Sequence, residues 1–126
     1  IAVVLDGAPN PSGIDTFCKT YEDVFASRKR VFLFSVLADK DYSQMVRELF
    51  HDDDYVVCAP APTPRSADPK AMAAILPCKA DWAGTIAEGL DKALAAIKPD
   101  QVLCIVGSLY IQGEVPKYLR KRYHIE

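Results

Sequence analysis

Polar and charged residues follow the apolar, strand-like runs of this 126-residue sequence, and their side chains could bind one polar ligand together. They are Asp6 at the end of the first run, Asp39 and Lys40 after the second, Thr63 and Arg65 after the third, and Gly107 and Ser108 at the end of the last. A carboxylate accepts hydrogen bonds from two ribose hydroxyls, an ammonium group pairs with a carboxylate or a phosphate, and a serine hydroxyl can meet either at short range. The set predicts a site for a polar, multiply charged ligand.

The segment LDGAPNPSG, at residues 5–13, is stiffer than a plain connector needs to be. Its two prolines fix their own φ angles, and a glycine ends it. Asp6, Asn10 and Gly13 suit the rim of a ligand site at the end of the first strand.

Each of these residues also has a simpler structural interpretation. Asp6 could cap the first helix or form an Asx-turn, and Lys40 could belong to a solvated turn. Arg65 could be an ordinary surface residue, and Ser108 could be a small residue that packs beside Gly107. All four residues follow strands, and four independent structural roles would not explain this shared position. The shared position therefore favours a ligand site.

The elements that must position these residues alternate between strand-length apolar runs and segments of helical period. Strands are predicted at 1–6, 30–37, 54–61, 77–82 and 101–108, and helices at 14–25, 42–50, 68–76, 83–97 and 113–122. This order is typical of an α/β fold, a three-layer Rossmann-like arrangement with a mostly parallel sheet and helices on both faces. Because ligands bind at the carboxyl ends of parallel strands, the polar residues should gather at one edge.

Length and composition exclude several functional classes. A chain of this size forms one domain, and the net charge of −2 makes nucleic acid and anionic membranes poor partners. No apolar run is long enough to span a bilayer, so we expect a cytoplasmic protein. The four cysteines are widely spaced and are interpreted as apolar filler, and His51 and His124 as surface residues, so no metal site is expected.

Two phosphate-binding motifs are absent from the sequence. No G-x-G-x-x-G follows the first strand, and G-x-x-x-x-G-K-[ST] occurs nowhere. If the protein uses a nucleoside triphosphate, another domain must hold the phosphates.

Four segments, LDGAPNP, SVLADKD, APTPRSADP and VGSLYIQGEV, occur in an order and at spacings that resemble a known family. That family is the C-terminal domain of folylpolyglutamate synthase / dihydrofolate synthase, in the Mur ligase superfamily. The resemblance implies an ATP-dependent amide-bond ligase that adds L-glutamate to a folate or to dihydropteroate through an acyl phosphate.

The same resemblance implies how the work is divided between domains. Residues 1–126 would form a single glutamate-ligase domain, a fragment of a longer two-domain enzyme. The N-terminal domain would carry the P-loop and hold most of the ATP and Mg²⁺. The present domain would contain no catalytic residue and would be inactive alone.

Residue roles follow from the resemblance by position. Asp6 would contact the ATP ribose, and Lys40 and Ser108 would bind glutamate. Asn10, Asp39 and Arg65 would complete the rim.

Pro9 departs from the family pattern, which has a histidine of the glutamate site at this position. Proline has neither an N–H nor a polar side chain, so that contact cannot be made. Either another group compensates, or the domain is a non-catalytic interaction or regulatory module that keeps the fold. A free-standing mononucleotide binder of flavodoxin type is a third alternative.

Overall fold

The computed structural model describes residues 2–6, 11–25, 28–38, 42–107 and 115–123, with the backbone alone at residues 6, 11–14, 122 and 123. The strands are β1 (Ala2–Asp6), β2 (Arg30–Ser35), β3 (Tyr55–Cys58), β4 (Lys79–Trp82) and β5 (Val102–Gly107). The helices are α1 (Pro11–Phe25), α2 (Tyr42–Leu49), α3 (Pro69–Ala74) and α4 (Ile86–Ala96). A last helical segment covers residues 115–118 and continues as a π-helix over Leu119–Tyr123.

The five strands form one parallel sheet in the order β1-β5-β2-β3-β4. The register places Asp6 opposite Val106 and Ser35 opposite Gly107, so the three strands β1, β5 and β2 end almost level. The sheet therefore has a single carboxyl edge, as the alternating sequence pattern predicted.

Two hydrophobic layers cover the faces of the sheet. Along β2, Phe32 and Phe34 face the layer that contains α1, α2 and α3, whereas Val31 and Leu33 face the layer that contains α4 and the last helical segment. Because both faces are covered, every residue of β2 and of β5 is buried. The predicted three-layer α/β fold with helices on both faces is confirmed.

Side-chain caps fix the starts of two helices. The Asp68 carboxylate accepts a hydrogen bond from the Lys70 N–H at the start of α3, where proline occupies the first turn. The Thr85 hydroxyl accepts one from the Glu88 N–H at the start of α4. The cap explains why α4 begins after residue 85 and not at the predicted residue 83.

The elements differ from the prediction mainly at their ends. The short fourth strand is present, β2 stops at Ser35, and Leu37 forms an isolated antiparallel bridge with Ser66 instead of extending the strand. The three- and four-residue spacing of Phe17, Tyr21 and Val24 predicts that all three face the sheet, but Val24 is 64% exposed. Asp41 and Gln44 have the spacing of a capping box that would start α2, but Asp41 lies outside the described residues. Within those ranges, no helix is both long and apolar enough to cross a membrane.

Candidate functional site

The carboxyl edge of the sheet brings together the strand ends that precede the predicted site residues. Asp6 is the last residue of β1, and its backbone pairs in register with Val106 of β5. Gly107, which precedes Ser108, pairs with Ser35 of β2. The side chain of Asp6, and all of Asn10, Asp39, Lys40 and Ser108, lie outside the described residues, so their roles stay predictions.

The helices that follow neighbouring strands pack on opposite faces of the sheet at several points along this edge. The chain leaves β1, β2 and β3 toward the layer of α1 to α3, but leaves β4 and β5 toward the opposite layer. Neighbouring strands therefore send the chain to opposite faces at β1/β5, at β5/β2 and at β3/β4. Such switch points are where open α/β sheets bind ligands. Two of the three switch points lie at the strand ends associated with Asp6, Lys40 and Ser108.

Thr63 and Arg65 are the predicted site residues whose side chains the structure describes; Thr63 is half-buried and Arg65 is exposed. The Arg65 carbonyl oxygen accepts a hydrogen bond from the Ala38 N–H at 2.8 Å, and the Ala67 N–H donates to the Val36 carbonyl at 2.9 Å. The connector after β3 is thus paired with the chain that leaves β2. This pairing holds Arg65 beside the residue that precedes Asp39.

The same connector is braced internally by Ser66. Its hydroxyl accepts a hydrogen bond from the Ala61 N–H at 2.8 Å and donates one to the Ala67 carbonyl at 2.9 Å. Together with the two prolines of the segment PTPRSA (residues 62–67), these hydrogen bonds restrict its backbone.

A cavity of about 360 Å³ lies at the third switch point, between β3 and β4. Its walls are residues 60–62 after β3, residues 84–87 at the start of α4, and the ring of Tyr118. The Tyr118 hydroxyl donates to the Asp91 carboxylate at 2.9 Å, which orients the ring. The volume is within the range of small-molecule sites, roughly 300–1,000 Å³. No sequence motif marks this cavity, because its walls come from three distant segments.

A buried ion pair occupies the opposite, amino-terminal edge of the sheet. The Arg30 Nε donates to Asp54 Oδ1 at 2.9 Å, and its Nη2 also donates to the Leu49 carbonyl at 3.0 Å. The rings of Tyr21 and Phe32 lie 5.5 and 4.8 Å from the guanidinium carbon. Burial alone would lower the pKa of Arg30. The hydrogen bonds to Asp54 and the negative charge of Asp54 together outweigh burial, so the pKa of Arg30 is raised. This pair ties α2, β2 and the start of β3 together.

His51, Asp53 and Asp54 also meet at this edge, with potential ligand atoms within 4.8 Å of one another. The Asp54 oxygens already accept hydrogen bonds from Arg30 and from the His51 N–H. A cation would face the guanidinium group, which disfavours a metal site. His51 is exposed, as its sequence context predicted.

The cysteine thiols are buried to different degrees and all four are free. Desolvation by burial raises the pKa of Cys58 and of Cys104 to about 12. It raises the pKa of the half-buried Cys78 to about 11. Thiols with such pKa values remain protonated near neutral pH, so these three fit the predicted role of apolar filler.

The parallel sheet with helices on both faces defines an α/β domain of Rossmann-like class. Comparison with known proteins gives the family. Residues 1–109 match the family described as Mur ligase, glutamate ligase domain, and the chain belongs to that family. The resemblance to the C-terminal domain of folylpolyglutamate synthase is thereby confirmed.

Individual relatives agree with this assignment. The folylpolyglutamate synthase of Lacticaseibacillus casei is 33% identical over 121 residues, which are 93% of this chain and 27% of that protein. The structure of Mycobacterium tuberculosis folylpolyglutamate synthase complexed with ADP has a TM-score of 0.79 at 26% identity, over 91% of this chain and 29% of that one. E. coli FolC, at 22% identity, shares the fold with a TM-score of 0.85 over 96% of this chain and 29% of its own. The chain thus spans less than a third of the length of these relatives.

Proposed function

We propose that this chain is the glutamate-side domain of a longer, two-domain, ATP-dependent ligase. The ligase joins L-glutamate to the carboxylate of a folate or of dihydropteroate through an acyl phosphate. The match of residues 1–109 to the glutamate ligase domain family carries this proposal. The ADP bound by the M. tuberculosis relative supports a nucleotide substrate.

The strand ends supply binding groups for two of the substrates. Asp6, at the end of β1, accepts hydrogen bonds from the ribose hydroxyls of ATP. Lys40 attracts a carboxylate of glutamate by its charge, and Ser108 donates a hydrogen bond to the same amino acid. The nearly level ends of β1, β5 and β2 support a common site. Asn10, Asp39 and Arg65 complete the rim.

The phosphates and Mg²⁺ belong to the N-terminal domain of the longer enzyme. The sequence has no P-loop motif. Among the described residues, one group could hold a metal ion, and it lies at the amino-terminal edge, away from the site. Mg²⁺ supplies charge neutralisation at the transferring phosphoryl group. The present domain positions the amine of glutamate toward the acyl group when the two domains close, which lowers the entropic cost of the reaction.

The proposal is tested by assaying the full-length protein with ATP, L-glutamate and either tetrahydrofolate or dihydropteroate. The expected products are ADP, phosphate and an acceptor extended by one glutamate. The 126-residue chain alone should bind ATP and glutamate weakly in calorimetry and should release no ADP, because the phosphate site is in the other domain.

Pro9 supports a second function, a non-catalytic interaction or regulatory domain that retains the fold. Pro9 removes a side chain that the family uses for glutamate. In that case the full-length protein would produce no extended folate even with ATP, Mg²⁺ and both acceptors present. Tight binding of FMN or ATP by the isolated chain would instead indicate a free-standing mononucleotide binder.

A further inference from the structure

A cavity of ligand size on the carboxyl edge has no part in the proposed ligase reaction. It is the space of about 360 Å³ between residues 60–62, residues 84–87 and Tyr118. The residues assigned to ATP and glutamate follow β1, β2 and β5, whereas the cavity lies at the β3/β4 switch point. The cavity is therefore a separate site on the same edge.

The cavity is open to solvent. Pro62, Gly84 and Thr85 on its walls are exposed, whereas Ala61 is only 4% exposed. The walls therefore extend from the protein surface to the edge of the core. A small molecule can enter the cavity without a change in the fold.

The walls are held in place before any ligand binds. The Tyr118 hydroxyl contacts both oxygens of the Asp91 carboxylate, at 2.9 and 3.1 Å. The Ala61 N–H donates to the Ser66 hydroxyl at 2.8 Å. Thr85 caps α4, which fixes the wall at the start of that helix. Because the cavity is preformed, a ligand would pay little for ordering the protein around it.

The chemistry of the walls selects an uncharged ring. None of the eight residues that line the cavity is charged, and five of them are proline, alanine or isoleucine. A charged ligand would lose hydration there without gaining an ion pair. The ring of Tyr118 offers a flat aromatic surface on which a planar ring can stack.

Two backbone hydrogen-bond donors on the same walls add a requirement for acceptor atoms. Ile86 and Ala87 begin α4, so their N–H groups have no carbonyl partner within the helix. The next two N–H groups, those of Glu88 and Gly89, donate to Thr85. No residue in the described part of the chain accepts a hydrogen bond from the N–H of Ile86 or of Ala87. A ring nitrogen or a ring carbonyl would accept one.

We propose that this cavity binds an uncharged, planar, fused nitrogen heterocycle of the purine or pterin type. The ring stacks on Tyr118, and its acceptor atoms face the start of α4. The assignment stands whether or not the longer protein is a ligase, because it uses none of the residues assigned to that reaction.

Calorimetry of the full-length protein with 7-azaindole tests the proposal. This probe is planar, fused and uncharged at neutral pH, and it carries one ring nitrogen that accepts hydrogen bonds. Its dissociation constant should be about 1 mM or lower, as expected for a well-seated ligand of its size. Indole, which differs only in lacking that nitrogen, should bind at least about threefold more weakly. Benzoate, which is charged, should bind more weakly than either.

Variants of the walls locate the bound probe. Ala87→Trp fills the cavity and should weaken binding of 7-azaindole by at least about tenfold, whereas Ala95→Trp, at an exposed position further along α4, should not change it. Tyr118→Ala removes the stacking surface and should weaken binding about five- to hundredfold. Thermal unfolding checks that each variant is folded.

Displacement of 7-azaindole by adenine or by pterin would support the site and show which natural ring fits it. Displacement by neither compound, or equal affinity of the wild type and Ala87→Trp for the probe, would overturn the assignment. Equal affinities for 7-azaindole and indole would contradict the role of the donors at the start of α4, and with it the proposed class of ligand.

Discussion

Gly107 is the residue on which the geometry of the carboxyl edge depends most. Its φ angle is +138°, a conformation that other L-residues rarely adopt, and it lies against the Ser35 backbone. The sequence suggested only that a glycine beside Ser108 would allow tight packing. The positive φ and the contact with β2 depend on strand pairing between residues 72 positions apart, which no local pattern reveals.

Gly107→Ala should lower the free energy of unfolding by more than about 3 kcal/mol, since backbone strain and overlap with Ser35 add together. Gly84→Ala is the matched control, because a methyl group there meets only Glu88 Oε2 at 3.6 Å. Urea unfolding of the two variants measures the difference. Equal stability of both variants would mean that β5 and β2 do not approach as described.

Burial of thiols predicts a loss of stability at alkaline pH. The pKa values of Cys58 and Cys104 are about 12 in the folded chain, against an ordinary value of 9.0. As pH rises, these thiols therefore ionise in the unfolded chain before they ionise in the folded chain. Their contribution to the free energy of unfolding is complete below pH 9 and is lost as pH rises from 9 toward 12. At pH 10, ionisation of each thiol in the unfolded chain should lower the free energy of unfolding by about 1 kcal/mol relative to pH 8.

Urea unfolding at pH 8 and pH 10 checks this expectation, with Cys104→Ala as the comparison. The variant should lose less stability between the two pH values than the wild type does. If both chains lose the same amount, the thiol of Cys104 is not shielded from solvent.

At the scale of elements, periodicity in the sequence identified the strands and helices but not the ties between them. Capping by Asp68 and the short strand β4 could be predicted from local residues. The ion pair between Arg30 and Asp54 could not, because its members are 24 positions apart and each merely borders an apolar run. The predicted strands β2 and β3 extend past their observed ends, because apolar residues continue into the paired loops that follow these strands.

Asp54→Ala should destabilise the packing of α2, β2 and β3 against one another. It leaves the Arg30 guanidinium buried without its partner, which should cost about 3–5 kcal/mol of unfolding free energy. Lys19→Ala, which breaks an exposed pair with Asp15, should change stability by no more than about 0.5 kcal/mol. Thermal or urea unfolding distinguishes the two, and a cost for Asp54→Ala as small as that for Lys19→Ala would contradict the buried pairing.

At the scale of the whole molecule, the sequence predicted the fold class and the common edge, because alternation of strands and helices restricts the chain to a parallel sheet. The order β1-β5-β2-β3-β4, and with it the number of switch points, follows from strand pairing over long distances. The cavity beside Tyr118 is a consequence of that order, so it emerges only from the folded structure.

We propose that the ends of β1, β5 and β2 form one site with separate positions for nucleotide and amino acid. Steady-state kinetics of Asp6→Ala and Lys40→Ala in the full-length enzyme tests it most directly, with the exposed residues Asp23 and Lys70 replaced by alanine as controls. We expect Asp6→Ala to raise the KM for ATP alone and Lys40→Ala to raise the KM for glutamate alone, each by about tenfold or more. Wild-type KM values in both variants would contradict the claim.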